Sequence, residues 1–237
     1  MAKPKPDQPD AQTRNDLLYD TIRERIFTNR YPPGSTLREG ELAEEFGVSR
    51  SPIRRIFAKL EEARLLEIKH GVGAQVTEIR PDVYNDACEF RMLLAIHSGP
   101  FFVSPFPPDA PEVFQGFKDK LRELTPGDLV RFSEINNAYF TALTGLIRNR
   151  YMREVQLTLF FETARAWIIQ MPDMDWDKTI AMLCDEIDET IFFIKREDPV
   201  GLGLNIRNGI FSAKTLFDQD AADEEDQQGH WSEQRRI

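Results

Sequence analysis

The chain has 237 residues, 41% of them hydrophobic and 11% aromatic, and a formal net charge of -10. That apolar content supports one or two packed domains and excludes a disordered polyelectrolyte. No run approaches the ~18 consecutive apolar residues of a membrane span.

Residues 1–12 are polar and proline-rich, lack the apolar core of a secretory signal, and are expected to form a flexible arm. A helix is predicted over 14–29, where Leu18, Ile22 and Ile26 recur every four residues and Leu17, Tyr19 and Phe27 widen the stripe. Tyr31-Pro-Pro-Gly34 ends it. A short helix over 38–46 follows, with Leu42, Ala43 and Phe46 on one face and Gly47 as its stop. A further helix is predicted over 50–63, with Ser49 as its cap and Pro52 tolerated in its first turn.

This last helix has two unlike faces. At about 100° per residue, Ile53, Ile56, Phe57 and Leu60 fall on one side, and Arg50, Ser51, Arg54, Arg55 and Ala58 on the other. A solvated face usually mixes charge signs, whereas this one has three arginines and no acid. A helix laid in a DNA major groove needs arginines for phosphates and guanine edges, and small residues for close approach. Two β-patterned runs, Leu65–Lys69 and Ala74–Ile79, joined by His70-Gly-Val-Gly73, read as a hairpin wing beside the helix-turn-helix. The acidity lies elsewhere: residues 1–80 carry 14 Lys/Arg against 13 Asp/Glu, and residues 81–237 carry 16 against 27.

Pro81-Asp82 marks a linker, with Asp82 a candidate helix cap. Beyond it the pattern is all-helical: Val83–Ile96, with apolar residues at 83, 87, 90, 93, 94 and 96, then about 112–124, 128–147, 149–171, 176–196 and 199–217. A proline-rich loop runs from Pro100 to Pro111. Cys88 and Cys184 are expected to be core thiols in a reducing cytoplasm. Asp173-Met-Asp-Trp-Asp177 opens like a calcium loop, but Lys178 and Cys184 stand where that loop needs glycine and glutamate. Those acids are better placed at a helix N-terminus. The tail, 218–237, is acidic and expected to be disordered. The fold class is therefore mostly α: a winged helix-turn-helix over 13–80, then an all-α bundle over 81–217.

Leu17 to Ile79 resembles the winged-helix domain of the GntR family of bacterial transcription regulators. The matching features are Tyr31-Pro-Pro-Gly34, Leu37-Arg-Glu39, Glu41-Leu-Ala43, Gly47-Val-Ser-Arg50, Ser51-Pro-Ile-Arg54 and the wing Lys69-His-Gly71. The chain departs from the family at Arg55, where glutamate is usual, and at Ala63-Arg64, where Glu-Gly is usual. The resemblance implies a DNA-facing set of Arg38, Arg50, Ser51, Arg54 and Arg55, with His70 and Gly71 at a wing tip that enters the minor groove.

The second domain resembles the FCD-type effector domain of the FadR subfamily, through Glu89-Phe-Arg91, Phe132–Asn149 and Glu186 to Asp198. Such domains usually hold a divalent metal on an Asp and three His. The corresponding residues here are Asn136, Phe140, Ile187 and Gly209 with Asn208 beside it, and His70, His97 and His230 are scattered. No metal and no cofactor is expected. Either the space has closed into a dimerisation core, or it holds an apolar ligand with one polar handle. Candidate effector residues are Asn136, Phe140 and Ile187, with Arg91 and Arg165 as carboxylate handles. The expected protein is a cytoplasmic, homodimeric repressor that binds near-palindromic operator DNA and answers to a small organic acid or acyl-type effector. The alternative is a ligand-independent regulator whose helical domain only dimerises. No nucleophile motif or phosphate-cradling glycine loop points to an enzyme.

Overall fold

A computed structural model describes the backbone of residues 11–69, 71–78, 80–171 and 174–233, and within these ranges the side chains of residues 14–216. The chain divides into two compact units, Met1–Ile79 and Arg80–Ile237.

The head contains α1 (Ala11–Phe27), α2 (Glu39–Glu45) and α3 (Arg50–Glu62). A three-stranded antiparallel sheet of β1 (Thr36–Leu37), β2 (Leu66–Lys69) and β3 (Gly73–Val76) completes it, in the order β1-β3-β2. The hairpin register pairs Ile68 with Ala74 and Lys69 with Gly73. β1 is an addition to the sequence pattern, which predicts only a hairpin here. Two residues carry no periodicity, and β1 exists because the preceding turn is clipped to β3. Gly34 N–H donates to the Val76 carbonyl at 2.9 Å, and Val76 N–H to the Ser35 carbonyl at 2.9 Å.

The turn between α2 and α3 has a physical cause. Gly47 adopts φ +62, its N–H donates to the Glu44 carbonyl at 3.2 Å, and Val48 N–H donates to the Ala43 carbonyl at 2.9 Å. This is the Schellman pattern, which satisfies carbonyls a helix end would otherwise orphan. Ser49 stands at the next N-cap with extended backbone but makes no capping hydrogen bond. Arg64 ends α3 in the same left-handed way, at φ +58, a conformation that favours glycine. Ile22 on α1 and Ile53, Phe57 and Leu60 on α3 are buried, each worth roughly 1.5–3 kcal/mol.

The second unit contains α4 (Pro81–Ile96), a 3-10 turn (Gly99–Phe101), α5 (Ala110–Arg122), α6 (Leu129–Gly145), α7 (Arg150–Gln170), α8 (Trp176–Lys195) and α9 (Pro199–Glu233). α4 packs on α7 and α9, α5 on α6 and α8, α6 on α7, and α8 on α9. Asn149 caps α7 by accepting from Met152 N–H, and Asp175 caps α8 by accepting from Lys178 N–H, each at 3.0 Å. The acids around Trp176 thus start a helix; Asp173 lies outside the described residues.

Two readings are corrected. The inward face of α4 is Tyr84, Ala87, Cys88, Arg91 and Ala95, while Val83, Phe90, Leu93 and Ile96 of the expected apolar stripe are exposed. Asp82 does not cap α4; Arg80 holds the N-cap position, and Asp82 pairs with its guanidinium from the first turn. α9 runs from Pro199 to Glu233. Cys88 and Cys184 are buried thiols outside any disulfide, and among the described residues no helix is long and apolar enough to cross a membrane.

Candidate functional site

The outward face of α3 presents Arg50, Ser51, Arg54 and Arg55 to solvent, opposite the buried Ile53, Ile56, Phe57 and Leu60. Arg38, Arg50, Arg54 and Gly71 line one open cleft between α2, α3 and the wing, together with Glu39, Gly40, Lys69 and Val72. Ser51 and Arg55 lie outside that cleft, further round the exposed face. His70 is outside the described residues. Gly71 is exposed at φ +76, and no heavy atom lies within 4 Å of where a Cβ would stand, so the wing tip is bare backbone that can approach a groove floor closely.

Two residues of α2 organise these arginines, and sequence pattern assigns neither of them a role. Arg54 donates through Nε and Nη2 to the two Glu39 carboxylate oxygens at 3.0 and 2.8 Å. This pairing holds the Glu39 carboxyl below the usual carboxylate range, first through those hydrogen bonds. Gly40 leaves space for the Arg50 guanidinium, whose Nη2 would lie 3.3 Å from a Cβ there. Arg38 pairs with Glu41 at 2.9 Å on the surface. Glu39 and Arg54 are 15 residues apart, so no local pattern reveals their contact.

The helical unit contains a cavity of about 70 Å³ walled by α4, α6, α7, α8 and α9. Of the candidate effector residues, Arg91, Asn136 and Phe140 line it; Arg165 and Ile187 do not. The reason is helical phase. α7 turns Phe160, Thr163, Ala164 and Trp167 inward, and Arg165 is one residue off that spacing, about 100° away. Its guanidinium is brought down to about 10 by burial, with Glu162 opposing the shift. Ile187 is wholly buried core, and its neighbour Glu186 faces the cavity instead.

Arg91 is the central cation. Its Nη1 donates to Thr163 Oγ1 at 2.6 Å, its Nε is buried without a partner, and its guanidinium lies 5.1 and 5.3 Å from the rings of Phe140 and Phe160. Those rings stack at 4.1 Å and 9°. Glu186 accepts from Tyr139 O–H at 3.0 Å. The residue keeps partial solvent contact, but its carboxyl is enclosed, and burial pushes it up to about 7. The Tyr139 hydrogen bond and Arg91 oppose that rise, and Glu189 adds to it. Folded Glu186 therefore keeps a proton that the unfolded chain releases near its usual 4.5. The sign is fixed: stability from this group is whole below 4.5 and is lost as pH rises to about 7. Thermal denaturation of the helical unit should show this decline and then level off, and Glu186→Gln should abolish this component.

Asn136, Phe140, Ile187 and Gly209 offer no imidazole or carboxylate between them, so they do not fit a divalent ion. Among the described residues, no group of three or more His, Cys, Asp or Glu could hold a metal. His97 is the exposed C-cap of α4.

A winged helix-turn-helix whose second helix carries exposed arginines beside the wing defines the class: a DNA-binding head joined to an all-helical unit. Residues 15–76 match the bacterial regulatory proteins of the gntR family, and this head is a GntR-family helix-turn-helix domain. The chain is 28% identical over 159 residues to an HTH-type transcriptional regulator of Mycobacterium tuberculosis, covering 60% of this chain and 65% of the relative. It is 40% identical over 76 residues to the fatty acid metabolism regulator protein of Pasteurella multocida, covering 31% and 32%. It is 35% identical over 92 residues to the galactonate operon transcriptional repressor of Escherichia coli, covering 38% and 40%. The chain thus spans between about one third and two thirds of the length of these relatives. In fold it is similar to Escherichia coli McbR/YncC, with TM-score 0.77, 15% identity and coverage of 88% of this chain and 98% of that one. A GntR regulator structure from Rhodococcus sp. RHA1 gives TM-score 0.70 at 16% identity, covering 86% and 97%.

Proposed function

We propose that the protein is a bacterial transcription regulator of the cytoplasm, a repressor rather than an enzyme, that binds near-palindromic operator DNA as a homodimer. The observation that carries this reading is the cleft where Arg38, Arg50, Arg54 and the Gly71 wing tip converge on one side of the head. Arg50 and Arg54 reach base edges or nearby phosphates, Ser51 and Arg55 track the backbone, and the wing with His70 and Gly71 enters the minor groove. Dimerisation falls to the helical unit, an FCD-type domain. Phe90 and Leu93 on α4, and Val200, Leu204 and Phe211 on one face of α9, are exposed large apolar side chains of the kind a partner surface covers.

The helical unit also binds a small effector. A core that served dimerisation alone would gain nothing from a buried guanidinium with an unpartnered Nε beside an open cavity. The test is selection of bound duplexes from a random pool, followed by footprinting and sedimentation. An inverted repeat protected on two half-sites about one helical turn apart by a dimer is expected. Enrichment of single half-sites by a monomer would overturn the dimeric reading, and no enrichment would overturn sequence-specific binding.

A further inference from the structure

The following rests on the effector reading and specifies its ligand. Arg91 is a buried cation with no bonded counter-ion: its donors reach Thr163 and two aromatic faces. Glu186 is the one carboxylate among the cavity-lining residues, and it accepts from Tyr139 rather than from Arg91. At about 70 Å³, and allowing ~10–15 Å³ for each water-sized position, the space holds about five to seven such positions, room for a small organic ion. Carbon atoms would rest on the Phe140–Phe160 stack, Leu183 and Ile210.

We propose that the cavity takes up a short-chain monocarboxylate as its neutral acid: the ligand carboxylate binds Arg91, and Glu186 gains one proton from solvent. Charge balance in a low-dielectric space drives the coupling. With Glu186 ionised, the cavity already holds one cation and one anion, and a second anion leaves a net negative charge away from water. Protonating Glu186 restores neutrality and turns its carboxyl into a hydrogen-bond donor. The residue is set for this exchange, since burial already pushes its carboxyl up to about 7.

The groups facing Glu186 from each neighbouring element are few. α4 supplies Arg91 with Tyr84 and Cys88 beside it, α6 supplies Tyr139, and α7 supplies Thr163. α8 itself supplies Glu189. α9 supplies the Asn205 amide, which donates to the Glu186 carbonyl, and Gly209, where a Cβ would stand 2.4 Å from the carboxylate. From α5, Lys118 is engaged by Asp188 and Arg122 by Cys184. α9 therefore lies directly against the carboxylate at Gly209, with no side chain between.

The test is calorimetric titration of the full chain with acetate and propionate from pH 6 to 8.5, in two buffers of different ionisation enthalpy. The dissociation constant should be flat below about 7 and rise roughly tenfold per pH unit above it, with uptake of about one proton. Glu186→Gln should bind with no pH slope and more tightly than wild type at pH 8.5. Arg91→Met should abolish binding, and Arg91→Lys should keep part of it; thermal unfolding checks that each variant folds. No monocarboxylate binding, a flat wild-type profile, or an unchanged slope in Glu186→Gln would each overturn the proposal. Acetamide and methylammonium are titrated alongside. If either binds instead, the acid assignment falls and the effector reading stands. If no compound in a broader panel changes operator affinity, the effector reading falls as well.

Discussion

Arg54→Ala is expected to weaken binding to the selected operator by about ten- to a hundredfold, with discrimination lost at one base pair per half-site. The structure adds a second variant to this experiment. In the proposed complex Arg54 would meet DNA already clamped by Glu39 through two hydrogen bonds. The clamp fixes the plane of the guanidinium and offsets its charge, which favours a fixed base partner over a wandering phosphate contact. Glu39→Ala should therefore act opposite to a simple loss of contact. Binding to scrambled duplex should strengthen, its salt slope should steepen by about one phosphate contact, and the specific-to-non-specific ratio should fall. Fluorescence anisotropy on operator and scrambled duplexes at several salt concentrations reads both effects. An Arg54→Ala defect equal on the two duplexes would assign Arg54 to phosphate rather than base. An unchanged ratio in Glu39→Ala would reduce the clamp to a surface ion pair of no consequence.

How far these features are legible depends on the distance over which sequence pattern acts. The two faces of α3 are readable because Ile53, Ile56, Phe57 and Leu60 repeat at helical spacing and no acid interrupts the arginines. The Schellman turn is readable from Gly47 alone. β1 is not, because a two-residue strand is created by its partner β3 rather than by its own composition. The face of α4 escapes the pattern for a chemical reason: it buries Tyr84 and Arg91 and leaves Phe90 and Leu93 outside. Apolar periodicity finds a core-facing stripe only when the core is uniformly apolar, and α4 turns Tyr84 and Arg91 toward a cavity. Glu186 is missed by one position, since the family resemblance points to Ile187 and a single-residue slip turns a helical side chain by about 100°. Glu39 needs the tertiary structure, which brings α2 onto the start of α3.

Gly73→Ala should destabilise the head by about 2–3 kcal/mol, the largest stability effect expected from adding one methyl group to the wing. Two independent costs combine. Gly73 sits at φ +126, a region closed to L side chains, and its Cβ would lie 2.5 Å from the Leu37 carbonyl oxygen. That oxygen belongs to the backbone of β1, so no rotamer change relieves the clash; β1 must leave β3. Gly71→Ala is the matched control, two residues away at φ +76 with open space around it, and should cost only about 1 kcal/mol of backbone strain. By differential scanning calorimetry the head transition should fall by about 10 °C or more in Gly73→Ala, and by far less in Gly71→Ala. The transition of the helical unit should stay in place in both. The DNA consequence follows from the same geometry. β1 leads directly into Arg38 and Glu39, so displacing it moves the α2 end of the cleft as well as the wing. Gly73→Ala should therefore lose operator affinity even at temperatures where the head is folded. Wild-type affinity in a folded Gly73→Ala head would show that the wing and the start of α2 contribute nothing to recognition, leaving α3 to act alone.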